Sequence, residues 1–418
     1  MLALGLFSLL AVLLVLRQSV LVMLASATAY AYWAWGDSPL RFILLDAWDA
    51  LNREVLLSIP LYILAGNLMS RGTMASRLVG LLGAATSFLP GGLALSAVLA
   101  CAFFAAISGS STVTLMAVGS IMYPALLKAG YTKRIALGVL CAAGTLGIIV
   151  PPSIPLILYG VMTNASIVDL FRAGIGPAIV MTIILGVYVV IASRHIPASQ
   201  FDVIRLWVAL KASVWALMMP IIVLGGIYTG FFTATEAAAV AVFYTLLVQM
   251  VIYREMGFRD VYEVSTETTR LIGSLFPILM MAVCLNLFLT YQKIPDELVL
   301  ILGSYLDDKV SFLLASNLFL LLTGSVMDIG SAILILAPLL KPLATEMGVD
   351  PVHFGIMMIV NLEIGYLTPP LGLNLIVAMS AFKESFAEVC KAAVPFILLM
   401  LLGLVIVAAF PVLSLFLV

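Results

Sequence analysis

The sequence predicts an all-α polytopic membrane protein with inverted-topology repeats, two re-entrant helical hairpins and two proline-broken helices. Three observations support this prediction: the composition, the distribution of basic residues between apolar runs, and a double-proline motif that occurs twice. Of the 418 residues, 64% are apolar or aromatic and only 10% are charged, with a mean hydropathy of +1.22. A soluble domain carries about a quarter charged residues, so this chain has too little polar surface for water.

The same composition excludes several function classes. A spanning helix takes about 20 residues, so the chain has room for roughly a dozen crossings and almost nothing else. This excludes a receptor ectodomain, a nucleotide-hydrolysing engine and a nucleic-acid binder. The 20 basic and 21 acidic residues nearly cancel, and the four cysteines and two histidines lack the spacing of metal sites. The first apolar run lacks a basic segment and a cleavage site, so we expect a retained helix.

Apolar runs give the helices in order. They fall at 2–16, 18–36, 55–69, 91–107, 113–127, 134–163, 172–193, 213–229, 233–252, 271–292, 311–340, 353–381 and 392–417. The stretches 40–53 and 201–211 alternate apolar and polar residues at helical spacing, which predicts two surface helices. Segment 73–88 is short and amphipathic, and we expect it to lie along the membrane interface.

Basic residues between these runs set the direction of each crossing, because they favour the cytoplasm. Four basic clusters mark that side, at 71–77, 128–134, 194–211 and 254–270, whereas the net acidic stretches 37–54 and 293–309 mark the other. Region 91–127 then begins and ends on the cytoplasmic side, which requires a re-entrant hairpin with its tip near 108–111. Region 311–340 begins and ends outside, with its tip near 323–325. Both termini are predicted to be periplasmic.

The two hairpin regions also resemble each other in sequence. The first reads SGSSTVTLMAVGSIMYP (108–124) and continues to GIIVPPS (147–153). The second reads TGSVMDIGSAILILAP (323–338) and continues to GYLTPPL (365–371). The distance from Gly130 to Pro151 is 21 residues, as it is from Gly348 to Pro369. Two such copies entering from opposite faces form an inverted repeat with broken helices, a pattern typical of secondary transporters.

The double prolines explain why the helices must break. Proline lacks an N–H group and forces the residue before it out of the helical region, so each helix unwinds inside the membrane. Unwound backbone is tolerated there only where it is buried in protein or lines a polar cavity. The carbonyls freed at 147–150 and 365–368, together with the hydroxyls of the hairpin tips, suit a small hard cation such as Na⁺. Half-helix N-termini at 110–112 and Ser153 would favour an anionic group.

Four segments carry a resemblance to a known family. They are FFAAISGSSTVTLMAVGSIMYPALLKAGY (103–131), GIIVPPSIPLILYG (147–160), GGIYTGFFTATEAAAVAVFY (225–244), and the segment 323–374 that begins TGSVMDIGSAILILAP and ends GYLTPPLGLN. From about residue 50 onward the chain resembles the large membrane subunit of tripartite ATP-independent periplasmic (TRAP) transporters. The resemblance implies Na⁺-coupled import of an organic acid, usually a carboxylate, by an elevator-type transport domain that moves against a scaffold. A related alternative is an ion-coupled carboxylate or other anion transporter that works without a binding protein.

The resemblance also implies partners, a location and a division of the chain. The partners are a small four-helix membrane subunit, which would be a separate polypeptide, and a periplasmic substrate-binding protein in bacteria or archaea. We expect a multi-pass protein of the cytoplasmic (inner) membrane. The divisions are scaffold at 1–90, a first repeat at 91–193 (hairpin 91–127, broken helix 134–163), scaffold at 194–292, a second repeat at 293–391 (hairpin 311–340, broken helix 353–381) and a C-terminal helix at 392–418.

Site residues follow from matching the family's motifs to this sequence. One Na⁺ site would use Ser108, Ser110, Gly147, Val150 and Pro152. The second would use Gly324, Ser325, Gly365, Thr368 and Pro370. Substrate would lie between the two tips, near Ser111, Ser153, Asp328 and Asn374. Because TGSVMD does not copy SGSS, equal ion affinity at the two sites does not follow.

Three acidic residues are placed at membrane depth, where a charge costs at least ~2.5–3.5 kcal/mol. For Asp328 and Glu363 two interpretations stay open, namely coupling to ion or substrate and a structural role. Glu236 follows Thr233 in the chain, which favours a structural role as a helix cap. The competing function classes are an intramembrane protease and a channel. A protease needs a base beside its nucleophile or a second facing aspartate, and a channel usually builds its filter from identical subunits. The inverted repeat favours a transporter, so we predict no enzyme activity.

Overall fold

A computed structural model describes residues 2–34, 41–198, 200–295, 297, 299 and 308–418. Within these ranges all the regular elements are helical. The α-helices are α1 Leu2–Val15, α2 Val20–Ala34, α3 Arg41–Leu51, α4 Ser58–Arg71, α5 Met74–Thr86, α6 Gly92–Ser108, α7 Ser111–Lys128, α8 Lys133–Ile149, α9 Ile154–Thr163, α10 Ile167–Ala192, α11 Val203–Tyr228, α12 Ala234–Leu246, α13 Phe258–Tyr291, α14 Lys309–Val326, α15 Ile329–Glu346, α16 Pro351–Gly365, α17 Leu373–Phe382, α18 Phe386–Ala409 and α19 Val412–Leu415. A 3₁₀ turn at Glu54–Leu57 precedes α4, and a π-helical turn at Leu247–Ile252 ends α12.

The helices confirm an all-α polytopic membrane protein. Seven of the described helices are long and apolar enough to cross a membrane, and the number rises to as many as nine if two bent pairs each count as one span. One bent pair is 54–71 with 74–86, which turns by 68°. The other is the predicted broken helix, Lys133–Ile149 with Ile154–Thr163, which turns by 40°. That α5 lies along the interface stays a prediction, which the 68° turn favours.

The first predicted hairpin doubles back on itself. α6 and α7 are separated by Gly109 and Ser110, where the sequence placed the tip. Gly109 adopts a left-handed conformation with φ of +56°, which costs a residue without a Cβ little. At the other end of the pair, the Ala94 amide donates to the Tyr131 hydroxyl at 3.4 Å. Both ends of the hairpin therefore meet, and its entry into the bilayer from one face stays a prediction.

The second hairpin also returns to its starting end, because Lys309 Nζ donates to the carbonyl of Gly348 at 3.1 Å. The predicted tip at 323–325 is wrong by a few residues. α14 continues to Val326, and the break falls at 327–328. Asp328 sets this position because its carboxylate caps the Ser331 amide at 2.8 Å and starts α15 there.

Two further predictions on helix extent need correction. The predicted surface helix at 201–211 is not separate, because α11 runs without interruption from Val203 to Tyr228. Asp202 caps its start, and no glycine or proline interrupts it before Pro220. α13 begins at Phe258, well before the predicted 271, because its first turns are polar and Glu263 there pairs with Arg71 and Arg259 at the surface. Residues Asp37, Asp296 and Asp307 of the predicted acidic stretches lie outside the described part of the chain.

Three basic residues predicted to lie on the cytoplasmic side form ion pairs with acidic residues of other helices or loops. Arg71 pairs with Glu263 at 2.7 Å, and Arg77 pairs with Glu255 at 2.8 Å. Lys133 pairs with Glu384 at 2.9 Å, which joins the start of α8 to the turn after α17. These contacts place the loops of several crossings at one end of the helical bundle. That this end faces the cytoplasm stays a prediction.

Candidate functional site

A cavity of about 300 Å³ lies between the two hairpin tips. Both repeats and two other helices line it. The lining residues are Ile63, Ser108, Gly109, Ser110, Ser111, Thr112, Val113, Ile148, Ile154, Pro155, Leu158, Leu271, Ser274, Leu275, Asp328, Ile329, Gly330, Tyr366 and Leu373. Asp328 is the one charged residue among these described lining residues. The serines of the first tip line the same cavity.

The first tip packs against the broken helix that follows it. A Cβ built on Gly147 would lie 2.5 Å from the carbonyl oxygen of Ser110 and 2.8 Å from the Thr114 hydroxyl. Ser108, which is buried, exchanges a hydrogen bond with that same hydroxyl at 2.7 Å. The predicted ligands Ser108, Ser110 and Gly147 are therefore brought together within one oxygen-rich cradle.

The same tip also meets the backbone beyond the double proline. The Ile154 amide donates to the carbonyl of Gly109 at 3.4 Å. A Cβ on Gly109 would lie 2.9 Å from the Pro152 carbonyl oxygen, which places Pro152 beside the tip. Val150 ends α8 in an extended conformation, between Gly147 and Pro152 in the chain. The five predicted residues thus lie in the last turn of α8, in the unwound segment after it, or at the tip that it touches.

The second repeat builds a matching contact. A Cβ on Gly365 would lie 2.5 Å from the carbonyl carbon of Gly324 and 2.9 Å from the Ser325 amide. The Leu371 amide donates to the carbonyl of Ser325 at 3.2 Å, as Ile154 does to Gly109 in the first repeat. Thr368 and Pro370 lie in the turn between these contacts. Both double prolines, Pro151-Pro152 and Pro369-Pro370, contain a cis peptide bond.

The two broken helices differ in how their carbonyls are used. Carbonyls four residues before a proline lose their helical donor, which frees those of Gly147 and Ile148, and of Gly365 and Tyr366. Ile148 accepts instead from the Ser153 hydroxyl at 2.6 Å. In the second repeat Gly365 accepts from the Thr368 amide at 2.8 Å, and Tyr366 accepts from the Asn374 amide at 3.2 Å. The prediction of freed carbonyls at 147–150 and 365–368 therefore needs correction at Ile148, Gly365 and Tyr366, each of which accepts another hydrogen bond.

Of the four predicted substrate residues, two line the cavity and two lie behind it. Ser111 and Asp328 form part of the cavity wall. Ser153 is buried and its hydroxyl is occupied by the Ile148 carbonyl. Asn374 is fully buried and its side-chain amide donates to the Ser111 hydroxyl. Asn374 therefore contacts the cavity lining through its side chain at Ser111 and through its backbone amide at Tyr366.

Electrostatically, the two tips are not equivalent. No side chain caps α7, so the N–H groups of its first turn remain available beside the cavity, where a helix N-terminus carries partial positive charge. The N-terminus of α15 is occupied, because Asp328 caps it and the Ile329 amide donates to the Tyr366 hydroxyl at 2.8 Å. An anionic group is therefore favoured at the first tip, and a hydrogen-bond donor is favoured at Asp328.

Two polar cavity residues were missed by the sequence reasoning. Tyr366 lies inside the GYLTPP motif, and the side-chain hydroxyl in that motif was the available signal. Ser274 lies in the middle of α13, and nothing in its sequence context distinguishes it. Both residues can be recognised as cavity residues only once the second repeat and α13 are packed around the first tip.

The three acidic residues at predicted membrane depth have different environments. Glu236 is exposed and forms a capping box with Thr233, whose amide donates to its carboxylate at 2.8 Å, which confirms the structural reading. Asp328 both caps a helix and lines the cavity. Glu363 is fully buried in α16, and its carboxyl oxygens make no hydrogen bond of ordinary geometry within the described residues.

Comparisons with known proteins agree with this geometry. The family model for the tripartite ATP-independent periplasmic transporter, DctM component, matches residues 7–413. A C4-dicarboxylate TRAP transporter large permease protein, DctM, of Pseudomonas aeruginosa is 39% identical over 378 residues, covering 90% of this chain and 88% of that protein. The isethionate TRAP transporter permease protein DctMQ of Oleidesulfovibrio alaskensis is 36% identical and is matched over 98% of this chain and 65% of its own length.

Solved structures show the same architecture at low sequence identity. The YdaH transporter of Alcanivorax borkumensis aligns with a TM-score of 0.60 at 14% identity, covering 90% of this chain and 89% of that one. At this identity the likeness concerns the fold alone.

Proposed function

Because the chain belongs to the DctM component family of tripartite ATP-independent periplasmic transporters, we propose that it imports an organic acid by Na⁺-coupled elevator transport. As a large permease of this family it is a transporter and not an enzyme. The observation that carries the proposal is the cavity between the two hairpin tips. Ion coupling, the elevator motion and delivery of substrate by a periplasmic protein are the proposed parts.

The cavity lies where an elevator needs it. One wall comes from the hairpin tips and broken helices, through residues such as Ser110 and Asp328. The facing wall comes from Ile63 on α4 and from Leu271 and Ser274 on α13. A substrate held by the first wall would be carried past the second when the two groups of helices slide.

Contacts within each group support the division into two bodies. The two repeats are joined to each other by the Tyr159 hydroxyl, which donates to the Pro351 carbonyl at 2.7 Å, and by the Lys133–Glu384 ion pair. The other helices are joined by Asn67, whose amide donates to Thr268 at 3.0 Å, and by Tyr62, which donates to the Ala234 carbonyl at 3.2 Å. Each set of contacts would persist during sliding.

The two oxygen-rich cradles fit a small hard cation. Hydroxyls and backbone carbonyls are the donors that such ions prefer, and both cradles are too tight for a Cβ at their central glycine. Ser108, Ser110, Gly147, Val150 and Pro152 would hold one Na⁺, which supplies the electrochemical driving force. Gly324, Ser325, Gly365, Thr368 and Pro370 would hold the second.

The tip chemistry fits an organic acid. An acidic group would lie at the open N-terminus of α7, beside Ser111, because partial positive charge and free N–H groups meet there. A hydroxyl or ammonium group on the same molecule would donate to Asp328. Relatives named for C4-dicarboxylates and for isethionate share this anionic chemistry. A carboxylate is accordingly the proposed substrate class.

The family assignment also supports the proposed assembly. A small membrane subunit would pack against this chain, and a periplasmic binding protein would deliver substrate to it at the inner membrane. The DctMQ relative is longer than this chain, which matches 65% of it. We propose that both termini face the periplasm, as the charge pattern predicts.

The test is uptake of a labelled C4-dicarboxylate into proteoliposomes that contain the chain, its small subunit and its binding protein. A Na⁺ gradient should drive accumulation, and a K⁺ gradient of equal size with a matched membrane potential should not. Accumulation with either gradient would overturn the Na⁺ coupling. Uptake that persists without the binding protein would favour the alternative, an ion-coupled anion transporter that needs no binding protein.

A further inference from the structure

A buried polar cluster lies where the two repeats meet, outside both predicted Na⁺ cradles. It consists of Ser111 at the start of α7, Glu363 near the end of α16 and Asn374 at the start of α17. Glu363 and Asn374 are fully buried, and Ser111 is 2% exposed. Each of the three residues lies beside a break in a helix, and the cluster joins the first repeat to the second.

The cluster has more acceptors than donors. The Asn374 side-chain amide donates to the Ser111 hydroxyl, which in turn interacts with the Glu363 carboxyl. Neither carboxyl oxygen of Glu363 nor the amide oxygen of Asn374 makes a hydrogen bond of ordinary geometry within the described residues. Apart from that contact with Ser111, these three buried acceptor oxygens have no positive or donating partner among the described residues. Such groups are costly to bury unless something satisfies them.

No basic side chain of the described residues supplies that partner. Each of the five ion pairs of the described residues lies elsewhere, on residues such as Lys133 and Arg172. Tyr366 interacts electrostatically with both Glu363 and Asp328, and none of these three side chains carries positive charge. A buried carboxylate without a basic partner binds either a cation or a proton.

We propose that Glu363, Asn374 and Ser111 bind a further Na⁺ ion at the junction of the two repeats. The inference rests on the proposed Na⁺-coupled function and adds an ion to it. The donors are a carboxylate, an amide oxygen and a hydroxyl, which are hard oxygen ligands. Glu363 is the one carboxylate among these three ligands, and a single negative charge favours a monovalent ion over a divalent one. The described residues contain no group of three or more His, Cys, Asp or Glu side chains that could hold a metal ion.

An ion here would have a structural consequence for coupling. The carboxylate comes from the second repeat, whereas the hydroxyl belongs to the first tip and lines the cavity through Ser111. Cation binding would therefore fix Ser111 and the N-terminus of α7 in the orientation that receives the anionic substrate. Binding of this ion, the third after those of the two cradles, would raise the affinity for substrate, and bound substrate would raise the affinity for the ion by the same factor.

The test compares Na⁺ binding by the purified full chain and its Glu363→Gln variant. Glutamine has the shape of a protonated glutamate, so it keeps a neutral group that can form hydrogen bonds and removes the negative charge that would bind a cation. Equilibrium dialysis with ²²Na⁺ should show one fewer bound ion per chain in Glu363→Gln. The ionic strength is held constant with N-methyl-D-glucamine. An equal number of bound Na⁺ ions per chain in the two proteins would overturn the proposal and indicate that Glu363 is a protonated, neutral acid.

A second variant guards against simple damage to the fold. The double variant Glu363→Gln with Asn374→Asp restores one carboxylate and one amide on opposite sides of the same cluster. The double variant should again bind the Na⁺ ion that Glu363→Gln loses, whereas a purely structural role of Glu363 predicts that the ion stays lost. If Glu363→Gln does not fold, Asn374→Asp alone should tighten Na⁺ binding by about tenfold in a thermal-shift titration, and an unchanged midpoint would overturn the proposal.

Na⁺-binding measurements on a further variant distinguish a failure of this additional site from a failure of the proposed Na⁺ coupling. Ser108→Ala with Ser110→Ala removes hydroxyls from the first predicted cradle and leaves the Glu363 cluster intact. If the wild-type chain binds no Na⁺ at all, the coupling proposal itself fails. If that double variant loses an ion and Glu363→Gln does not, only the additional site is refuted.

Discussion

Gly147 lies so close to Ser110 that a Cβ on the glycine would approach the serine carbonyl oxygen to 2.5 Å. This contact joins the tip of one hairpin to the last turn of the helix that follows it. The second repeat contains a similar close approach, because a Cβ on Gly365 would lie 2.5 Å from the carbonyl carbon of Gly324. The two predicted ion sites are therefore both built around a glycine that permits close backbone approach.

Gly147→Ala should abolish Na⁺-dependent uptake while leaving a folded, monodisperse protein. The added methyl would displace the carbonyl of Ser110 and the Thr114 hydroxyl, which form the cradle. Gly80→Ala is the matched control, because Gly80 is exposed in α5 and a Cβ there meets nothing within 4 Å. The control should retain full uptake and gain up to about 1 kcal/mol of helix stability. Normal Na⁺ dependence in Gly147→Ala would exclude this cradle as an ion site.

Ser108→Ala combined with Ser110→Ala should raise the Na⁺ concentration needed for half-maximal uptake by at least about tenfold, because each change deletes a ligand oxygen. The Ser108 hydroxyl also pairs with Thr114 at 2.7 Å, so some loss of thermal stability accompanies the change. Ser120→Ala is the control, since Ser120 lies on α7 with its hydroxyl on a local carbonyl. Unchanged Na⁺ dependence in the double variant would remove the first site.

Local chemistry explains which parts of the fold were predictable. Gly109 between serines and the paired prolines near 151 and 369 stop helices by themselves, so those breaks could be predicted. The second tip was misplaced because Thr323, Gly324 and Ser325 look like a turn, whereas the Asp328 cap decides where the next helix starts. A helix cap depends on a single hydrogen bond, and a run of small polar residues does not show which side chain makes that bond.

Long-range contacts account for what sequence reasoning missed at the site. Ser111 and Asn374 are 263 residues apart and meet only when the two repeats pack together. The sequence indicated both as substrate residues, but it did not show that Asn374 lies behind the cavity wall. Ser274 likewise enters the cavity from a helix whose sequence carries no motif. Spacing within each repeat was predictable, and the packing of one repeat on another was not.

Asp328→Asn and Asp328→Ala separate the two roles of this residue. Asparagine caps helices about as well as aspartate, so Asp328→Asn should keep the stability of α15 within about 0.5 kcal/mol. Asp328→Ala loses the cap to Ser331 and should cost about 1 kcal/mol. If the carboxylate accepts a hydrogen bond from substrate, both variants should raise the KM for uptake at least tenfold. A wild-type KM in Asp328→Asn would assign the residue to capping alone.

Cysteine labelling tests the direction of the crossings. Arg205 and Glu297 are both exposed, and the charge pattern places them on opposite sides of the membrane. In a Cys390→Ser background, Glu297→Cys should react with an impermeant maleimide from the periplasm, whereas Arg205→Cys should react only after permeabilisation. The other native cysteines are buried and provide a low background. Labelling of both positions from one side would contradict the two re-entrant hairpins.

The Lys133–Glu384–Tyr123 contact predicts a specific pH dependence of stability. Hydrogen bonds from Lys133 at 2.9 Å and Tyr123 at 2.7 Å hold the pKa of Glu384 below its usual value. A carboxyl whose pKa is lowered by folding stabilises the folded state above its unfolded pKa, and this contribution is lost as pH falls through the folded pKa.

Tyr123→Phe deletes one of these hydrogen bonds and should lower the free energy of unfolding by about 1 kcal/mol at pH 7. Glu384→Gln should lower the melting temperature at pH 7, and its difference from wild type should shrink below about pH 4.5. Glu346→Gln is the control, because it removes an exposed carboxylate that forms no ion pair within the described residues. Melting temperatures measured from pH 3.5 to 8 provide the check. A Glu384→Gln difference that stays constant across this range would show that the carboxylate charge does not join the two repeats.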